Sequence, residues 1–571
     1  MRGHAFVRPD AGRTWSTRDR RSWVSLTVAL GSAGVVLGPL YGRGTALWYD
    51  MAWSPVPTWT PFVLGVSTPA PRAVPSDAVA VLLSRLVGPG LAQVLVLTLI
   101  LVLASHGAVA LLRAWRQEVG VVACASAALA AQWNPFVVER LAIGHWTVLW
   151  GYALAPLVFA TVLRDRSSAP RQLVLLALAV GLGGANALAV QLPAWAYAAW
   201  QMRLRAVPGM AILTGVSSVW ALPALSAGVR SSAAAAGAFG PVSDSPLGVL
   251  GSLLAGGALW NTRAHPWWRE ESILAVAALM LTLLSLWGAT CARRGAGVVA
   301  VTGAGVVIAA LSAVDGLRPL WEAALTHIPG WGLMRDSQKL VGCWVVVAAA
   351  GSGLIVDALR GRRWGGAQKV AATGLLCLWP VLNLGLAWGL MGRLGPVALP
   401  TSYRAIAAQA SEVDGTIALL PWQQYRRYSW NAGRTSLTIA PRVIDGDLLF
   451  DDRLPLRSGQ VIPGEDPRAA GVSASIDSGA SLREALSSAG SSYAFVERGT
   501  PGAPELGDLG TVVVEGPEAA LVRLGSPPLV QPPTRSTAAV KTGWALTCGT
   551  AVLSIFWALL SWRRDVRALR C

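Results

Sequence analysis

The sequence predicts an α-helical polytopic membrane protein of about twelve transmembrane helices, with a small extracytoplasmic α/β domain before the last helix. Three observations carry that expectation. The 571 residues are 53% hydrophobic and only 13% charged, with a mean hydropathy of +0.50, an apolar excess that a water-soluble chain has no core to absorb. The Lys and Arg behind the formal charge of +17 lie in short clusters between apolar segments, at every second inter-helix position. Finally, composition shifts at 392–538, where thirteen Arg face fifteen Asp plus Glu and short β-rich runs appear.

The elements follow in order. Residues 1–22 form a basic tail, and the first apolar stretch after Arg20 and Arg21 has a basic flank but no small-residue cleavage site, so it reads as a retained anchor. Apolar runs bounded by charge, Pro or Trp then place spans near 23–41, 91–112, 119–133, 147–163, 172–186, 187–201, 207–227, 271–290, 296–314, 340–358, 370–390 and 540–562. The stretch 172–201 is long for one helix and short for two. Gly183, Gly184, Asn186 and Pro193 divide it, and two spans keep every later Arg cluster on one side. With the positive-inside rule, both termini and the tail 563–571 are cytoplasmic and the protein is multi-pass in the cell membrane. No nucleic-acid motif accompanies the Arg clusters, which report orientation and contact with anionic headgroups.

Four segments on the opposite side exceed what connection requires: 42–90, 228–270, 315–339 and 392–538. A short one, NPFVVERLAIGHW at 134–146, joins the third and fourth spans. Within 392–538, GTIALLP, TSLTIAP, SYAFVER, TVVVEG and AALVRLG read as strands and SLREALSSA as a helix. The Pro-rich SPPLVQPPTRS leads stiffly into the final span at 539–562. Cysteines fall in or beside spans or at the last position, so no disulfide framework or zinc pattern arises.

Chemistry is sparse: no phosphate loop, no HExxH, no nucleophile elbow and only five His. The outward loop TALWYDMAWSPVPTWTP places Asp50 among Trp48, Tyr49, Trp53 and Trp59, where charge near acyl chains is costly. A solvated helix-ending acid is the plain alternative. NPFVVERLAIGHW brings Glu139, Arg140 and His145 to the same side, either as a local ion pair or as the lining of a polar cleft. HIPGWGLMRDSQKL sets Arg335 and Lys339 four apart at a span start, which on a helix is one face, suited to a lipid phosphate or to headgroup anchoring. The segment around His265, with Trp260, Trp267 and Trp268, mixes rings and polar groups as sugar clefts and aromatic belts both do.

This layout, with Asp50 in the first outward loop and a soluble domain late in the chain, resembles the type C (GT-C) superfamily of polytopic membrane glycosyltransferases. PGWGLMRDSQKL is similar to the Pro and Arg-xxx-Lys element of its actinobacterial arabinofuranosyltransferase branch. NPFVVERLAIGHW, GALWN and LLPWQQYRRYSWN look like stretches of uncharacterised membrane proteins of that kind. One departure stands out: Asp50 has no acidic neighbour. The resemblance implies sugar transfer from a polyprenyl-phosphate donor to a cell-envelope glycan or lipid acceptor. Asp50 would be the catalytic base, Arg335 and Lys339 contacts to the leaving phosphate, and Arg140, His145 and His265 further substrate-binding groups. It implies no nucleotide or soluble cofactor; a divalent metal is conceivable, but no ligand pattern supports one. The competing class is a non-catalytic envelope transport or assembly protein, whose mark would be ionisable residues at span centres; here they gather at the rim instead.

Overall fold

The computed structural model describes residues 17–67, 71, 73–228, 231–361, 365–366, 370, 374, 378–456, 459–525 and 537–568. Among them eight helices are long and apolar enough to cross a membrane, or nine if the bent pair Gly295–Leu311 and Asp315–His327 counts as one span. The chain is a multi-pass membrane protein. Among the described residues the expected count of about twelve is not confirmed, for local reasons; the spans expected at 187–201 and 207–227 count together as Gly184–Ser226. The span expected at 172–186 is a 14-residue helix, Ala169–Leu182. The one at 296–314 continues through a bend of 85°. The first part of 370–390 and the linker 526–536 fall largely outside the described residues. The rest of 370–390 breaks into a 3-10 turn at Leu384–Leu386 and left-handed backbone at Trp388–Leu390. The division of 172–201 is present, because Gly184 at φ +62 starts a separate helix, Gly184–Met202.

The bundle has a sheltered centre and an exposed flank. The windows within Ser337–Arg360, Val121–Ala142 and Trp146–Arg164 are 83%, 78% and 78% buried, against 17% for Thr537–Ser561. Small and hydroxylated residues carry the helix contacts, as expected where lipid removes the hydrophobic drive between helices. Ser126 and Ser352 share a hydrogen bond of 3.3 Å, and the Thr547 hydroxyl lies 3.2 Å from the Val219 N–H that donates to it. The last helix is also tied to the first long loop, through Trp544 Nε1 donating to the Leu64 carbonyl at 3.0 Å.

The segment 134–146 differs from its expected form as a surface loop. Asn134 caps a helix, Pro135–Ala142, its side chain accepting from the Val137 N–H at 3.0 Å, and Pro135 occupies the first turn where no N–H is needed. Phe136, Val137 and Leu141 pack into the main core, which carries Glu139 and Arg140 inside with them, 2% and 1% exposed.

The sheet region is a mixed five-stranded sheet of β1 (Thr416–Leu420), β2 (Leu448–Leu449), β3 (Ser491–Glu497), β4 (Thr511–Glu515) and β5 (Ala519–Arg523), ordered β4-β5-β3-β1-β2. β1 runs parallel to β2 and β3; β5 is antiparallel to β3 and β4. Side chains alternate as a pleated strand demands: Ile417 and Leu419 enter one core with Tyr403 and Phe495, Ala418 and Leu420 a second with Val472 and Leu486. The predicted helix at SLREALSSA is Leu482–Ser488, opened by a reciprocal capping box of Ser481 and Glu484. TSLTIAP contributes only Thr435–Leu437, which pairs with Tyr425–Arg427 in a separate hairpin. The first of these cores also takes in Leu47 and Ala52, the residues flanking Asp50.

Candidate active site

Asp50 sits at the tip of a hairpin formed by Leu47–Trp48 and Met51–Ala52, with Tyr49 in left-handed backbone at φ +45. Two anchors hold the tip. On the bundle side, Trp48 Nε1 donates to the Ala142 carbonyl at 2.7 Å and the Asp50 N–H to the Ile143 carbonyl at 3.2 Å. Gly144 makes this approach possible, since a Cβ there would fall 2.4 Å from both Met51 N and Trp48 O. On the sheet side, the Tyr49 N–H donates to the Thr435 carbonyl at 2.7 Å, and the Leu437 N–H to the Tyr49 carbonyl at 2.9 Å. Asp50 is therefore fixed where helix bundle and sheet region meet.

Its carboxylate has one partner from each. Tyr425 OH donates to Oδ1 at 2.6 Å, and His145 Nε2 lies 2.9 Å from Oδ2. The contact of His145 Nδ1 with Arg140 Nη1 at 3.4 Å fixes the tautomer. A guanidinium only donates, so Nδ1 accepts, the ring proton is on Nε2, and Nε2–H points at Asp50. Burial pushes the Asp50 pKa up, but His145, through its hydrogen bond and its electrostatic pull, the Tyr425 hydrogen bond and the Arg442 cation outweigh it and hold the carboxyl below its ordinary value. The acid is ionised at neutral pH. At 37% side-chain exposure it also remains reachable.

From His145 the polar chain runs inward. Arg140 grips Asp336 with two nitrogens, at 2.9 and 3.3 Å, and Lys339 Nζ approaches the same carboxylate at 3.6 Å while donating to Asn186 Oδ1 at 2.9 Å. Burial raises the Asp336 pKa, but Arg140 and Lys339 reverse this and bring it to about 2. The expected shared face of Arg335 and Lys339 is absent. The segment folds as two 3-10 turns, Trp331–Met334 and Ser337–Leu340, hinged at Asp336 (φ −104, ψ 69), so four residues no longer make one helical turn. Arg335 instead lies 4.3 Å above the Phe239 ring, and Lys339 turns into the protein. His265 joins neither group: its Nε2 meets the Leu259 carbonyl at 2.7 Å, beside Glu139 and Asp244.

Two recesses flank this chain. One, narrow at about 20 Å³, is lined by Asp50, Trp53, Asp77, Trp146 and Arg442. Arg442 comes from the sheet region and pairs with Asp77 at 2.7 Å. The other, about 520 Å³ and open, is apolar, with Ile308, Leu311, Trp321, Trp331 and Met334 along it; Arg335 follows Met334 in the chain. Sequence reasoning missed Tyr425, Arg442 and Asp336 as members of the site. Tyr425 lies within the quoted LLPWQQYRRYSWN, and Asp336 stood between the two chosen cations; Arg442 gave no signal.

No protein-family model and no curated protein matches the chain. A comparison of folds does find a counterpart: the cryo-EM structure of arabinofuranosyltransferase AftD from mycobacteria superposes with a TM-score of 0.59 at 16% identity over 89% of this chain. At that identity the likeness is one of fold. This chain spans 42% of the length of AftD, so what is shared is the architecture of the membrane part with its sheet region.

Proposed function

We propose that this protein is a membrane glycosyltransferase that moves a sugar from a polyprenyl-phosphate donor to a glycan or lipid acceptor at the outer face of the cell membrane, with Asp50 as general base. The observation that carries this reading is the state of Asp50: ionised, held from two sides by His145 and Tyr425, and still exposed over more than a third of its side chain. The acceptor hydroxyl gives its proton to Asp50 as its oxygen bonds to the anomeric carbon, and the bond from that carbon to the lipid phosphate breaks. A positioned base contributes roughly 10²- to 10⁴-fold.

The departing phosphate gains negative charge, which Arg335, the residue after Met334 of the apolar recess, stabilises, while Lys339 stays committed to Asp336 and Asn186. Arg140 acts from within: paired with Asp336 through both Nη atoms, it holds the His145 tautomer that steers Asp50. The acceptor approaches Asp50 from its exposed side.

The test is turnover of prenyl-phosphate-linked sugars by the purified protein in lipid, wild type against Asp50→Asn. A loss of roughly 10²- to 10⁴-fold is expected. Equal turnover in the two would remove Asp50 from the chemistry, and no turnover by the wild type with any such donor would favour a transport or assembly role.

A further inference from the structure

Next to the polar chain lies a second cluster that the transfer chemistry does not use. Glu139, in the helix Pro135–Ala142, and Asp244 are buried, 2% and 4% exposed, with a carboxylate oxygen of each within 4.8 Å of the other. Two carboxylates this close inside a protein need a proton or a cation between them. The surrounding cations are already engaged: Arg140 with Asp336, and Arg269 with Asp244 Oδ1 at 2.7 Å. Glu139 Oε1 is enclosed and has no hydrogen-bond partner. It and Asp244 Oδ2 converge on one point of backbone, where a Cβ on Gly257 would lie 2.8 Å and 2.1 Å from them.

The third member is His265, which brings one donor atom to within 4.8 Å of those of both acids. Its Nε2 faces the Leu259 carbonyl at 2.7 Å, so that nitrogen carries the hydrogen and Nδ1 keeps a lone pair. A histidine whose other nitrogen donates to a backbone carbonyl is oriented as metal ligands usually are. Asp244 is held likewise, accepting from the Ala258 N–H at 3.0 Å.

We propose that Glu139, Asp244 and His265 form a site for one divalent transition cation of the Mn²⁺ or Zn²⁺ class. Two carboxylates and an imidazole suit these ions better than Ca²⁺, which prefers six to eight oxygens. Ligand atoms around such an ion stand roughly 3.4 Å apart, given bonds of about 2.1 Å, so closure takes side-chain shifts of about 1 Å. The cation supplies the positive charge that Glu139 lacks. It also ties the segment 244–265 to the helix carrying Arg140, and so braces the chain Arg140–His145–Asp50 from behind.

The experiment uses the full-length protein in detergent, stripped with EDTA and dialysed, then titrated separately with Mn²⁺ and Zn²⁺ by calorimetry while the melting midpoint is followed. One equivalent of at least one ion is expected to bind the wild type and raise its midpoint. His265→Ala, at a half-buried position, should bind at least about tenfold more weakly, and Glu139→Gln should not bind. Should Glu139→Gln fail to fold, the wild type and His265→Ala decide the matter. Absence of stoichiometric binding to the stripped wild type, or equal affinity in wild type and His265→Ala, would overturn the proposal and leave a shared proton between the two acids.

Discussion

Asp50 and Glu497 are both carboxylates held by groups of the sheet region, and their surroundings differ in one respect that separates chemistry from structure. Glu497, at the end of β3, is fully buried and accepts from Tyr403 OH at 2.7 Å, Tyr428 OH at 2.6 Å, the Thr438 hydroxyl at 3.1 and 3.0 Å, and Arg426 Nε. Burial and then the charge of Glu497 push both phenols well above their ordinary pKa, so they remain donors. Every lone pair has a partner. Asp50 has one protein partner per oxygen and keeps more than a third of its side chain exposed. A saturated buried carboxylate holds a fold together, whereas one restrained from two sides and left open can accept a proton.

The contrast is broken most directly by exchanging each acid for its amide. Asp50→Asn should lose roughly 10²- to 10⁴-fold in turnover with little change in melting midpoint. Glu497→Gln should do the reverse: about 3–5 kcal/mol of stability lost, because Arg426 is left as an uncompensated buried charge, with turnover per folded molecule close to that of the wild type. Activity and thermal unfolding of both variants, side by side, check this, and a catalytic defect in a folded Glu497→Gln would erase the distinction.

Smaller changes sharpen it. Tyr425→Phe removes one hydrogen bond to the Asp50 carboxylate and should lower kcat about tenfold, as a charged hydrogen bond of about 1.5 kcal/mol implies, with KM little changed. His145→Ala removes a group that lowers the Asp50 pKa while the effect of burial persists. The acid limb of its pH–rate profile should therefore move to higher pH; an unmoved limb would mean that another group titrates there. For Asp336, whose pKa falls from 3.8 to about 2 on folding, the linked stability is complete above the unfolded value and disappears as pH falls through about 2. Melting midpoints followed down through this window should drop for the wild type and less steeply for Asp336→Asn.

Much of the architecture was legible in residue order, because it rests on local physics. Apolar runs marked Pro89–Trp115, Trp146–Arg164 and Ser272–Thr290 at nearly their observed bounds. Period-two runs marked four of the five strands, missing only the two-residue β2, and Ser481 with Glu484 marked a helix start. Errors came where a local rule was applied across a break. The four-residue spacing of Arg335 and Lys339 assumed a helix that Asp336 interrupts, and the charges of NPFVVERLAIGHW suggested surface exposure although its apolar face draws the whole helix inside.

Sequence by itself determined that the chain crosses a membrane repeatedly, carries an α/β region late, and places an acid in its first long loop. Only the tertiary structure decided what that acid is. The partners of Asp50 stand 95 and 375 residues away in the chain, and those of Glu139 arrive from a loop more than a hundred residues downstream. A carboxylate's pKa, reach and charge balance depend on the few ångströms around it, and the neighbours within that distance are chosen by packing rather than by order along the chain.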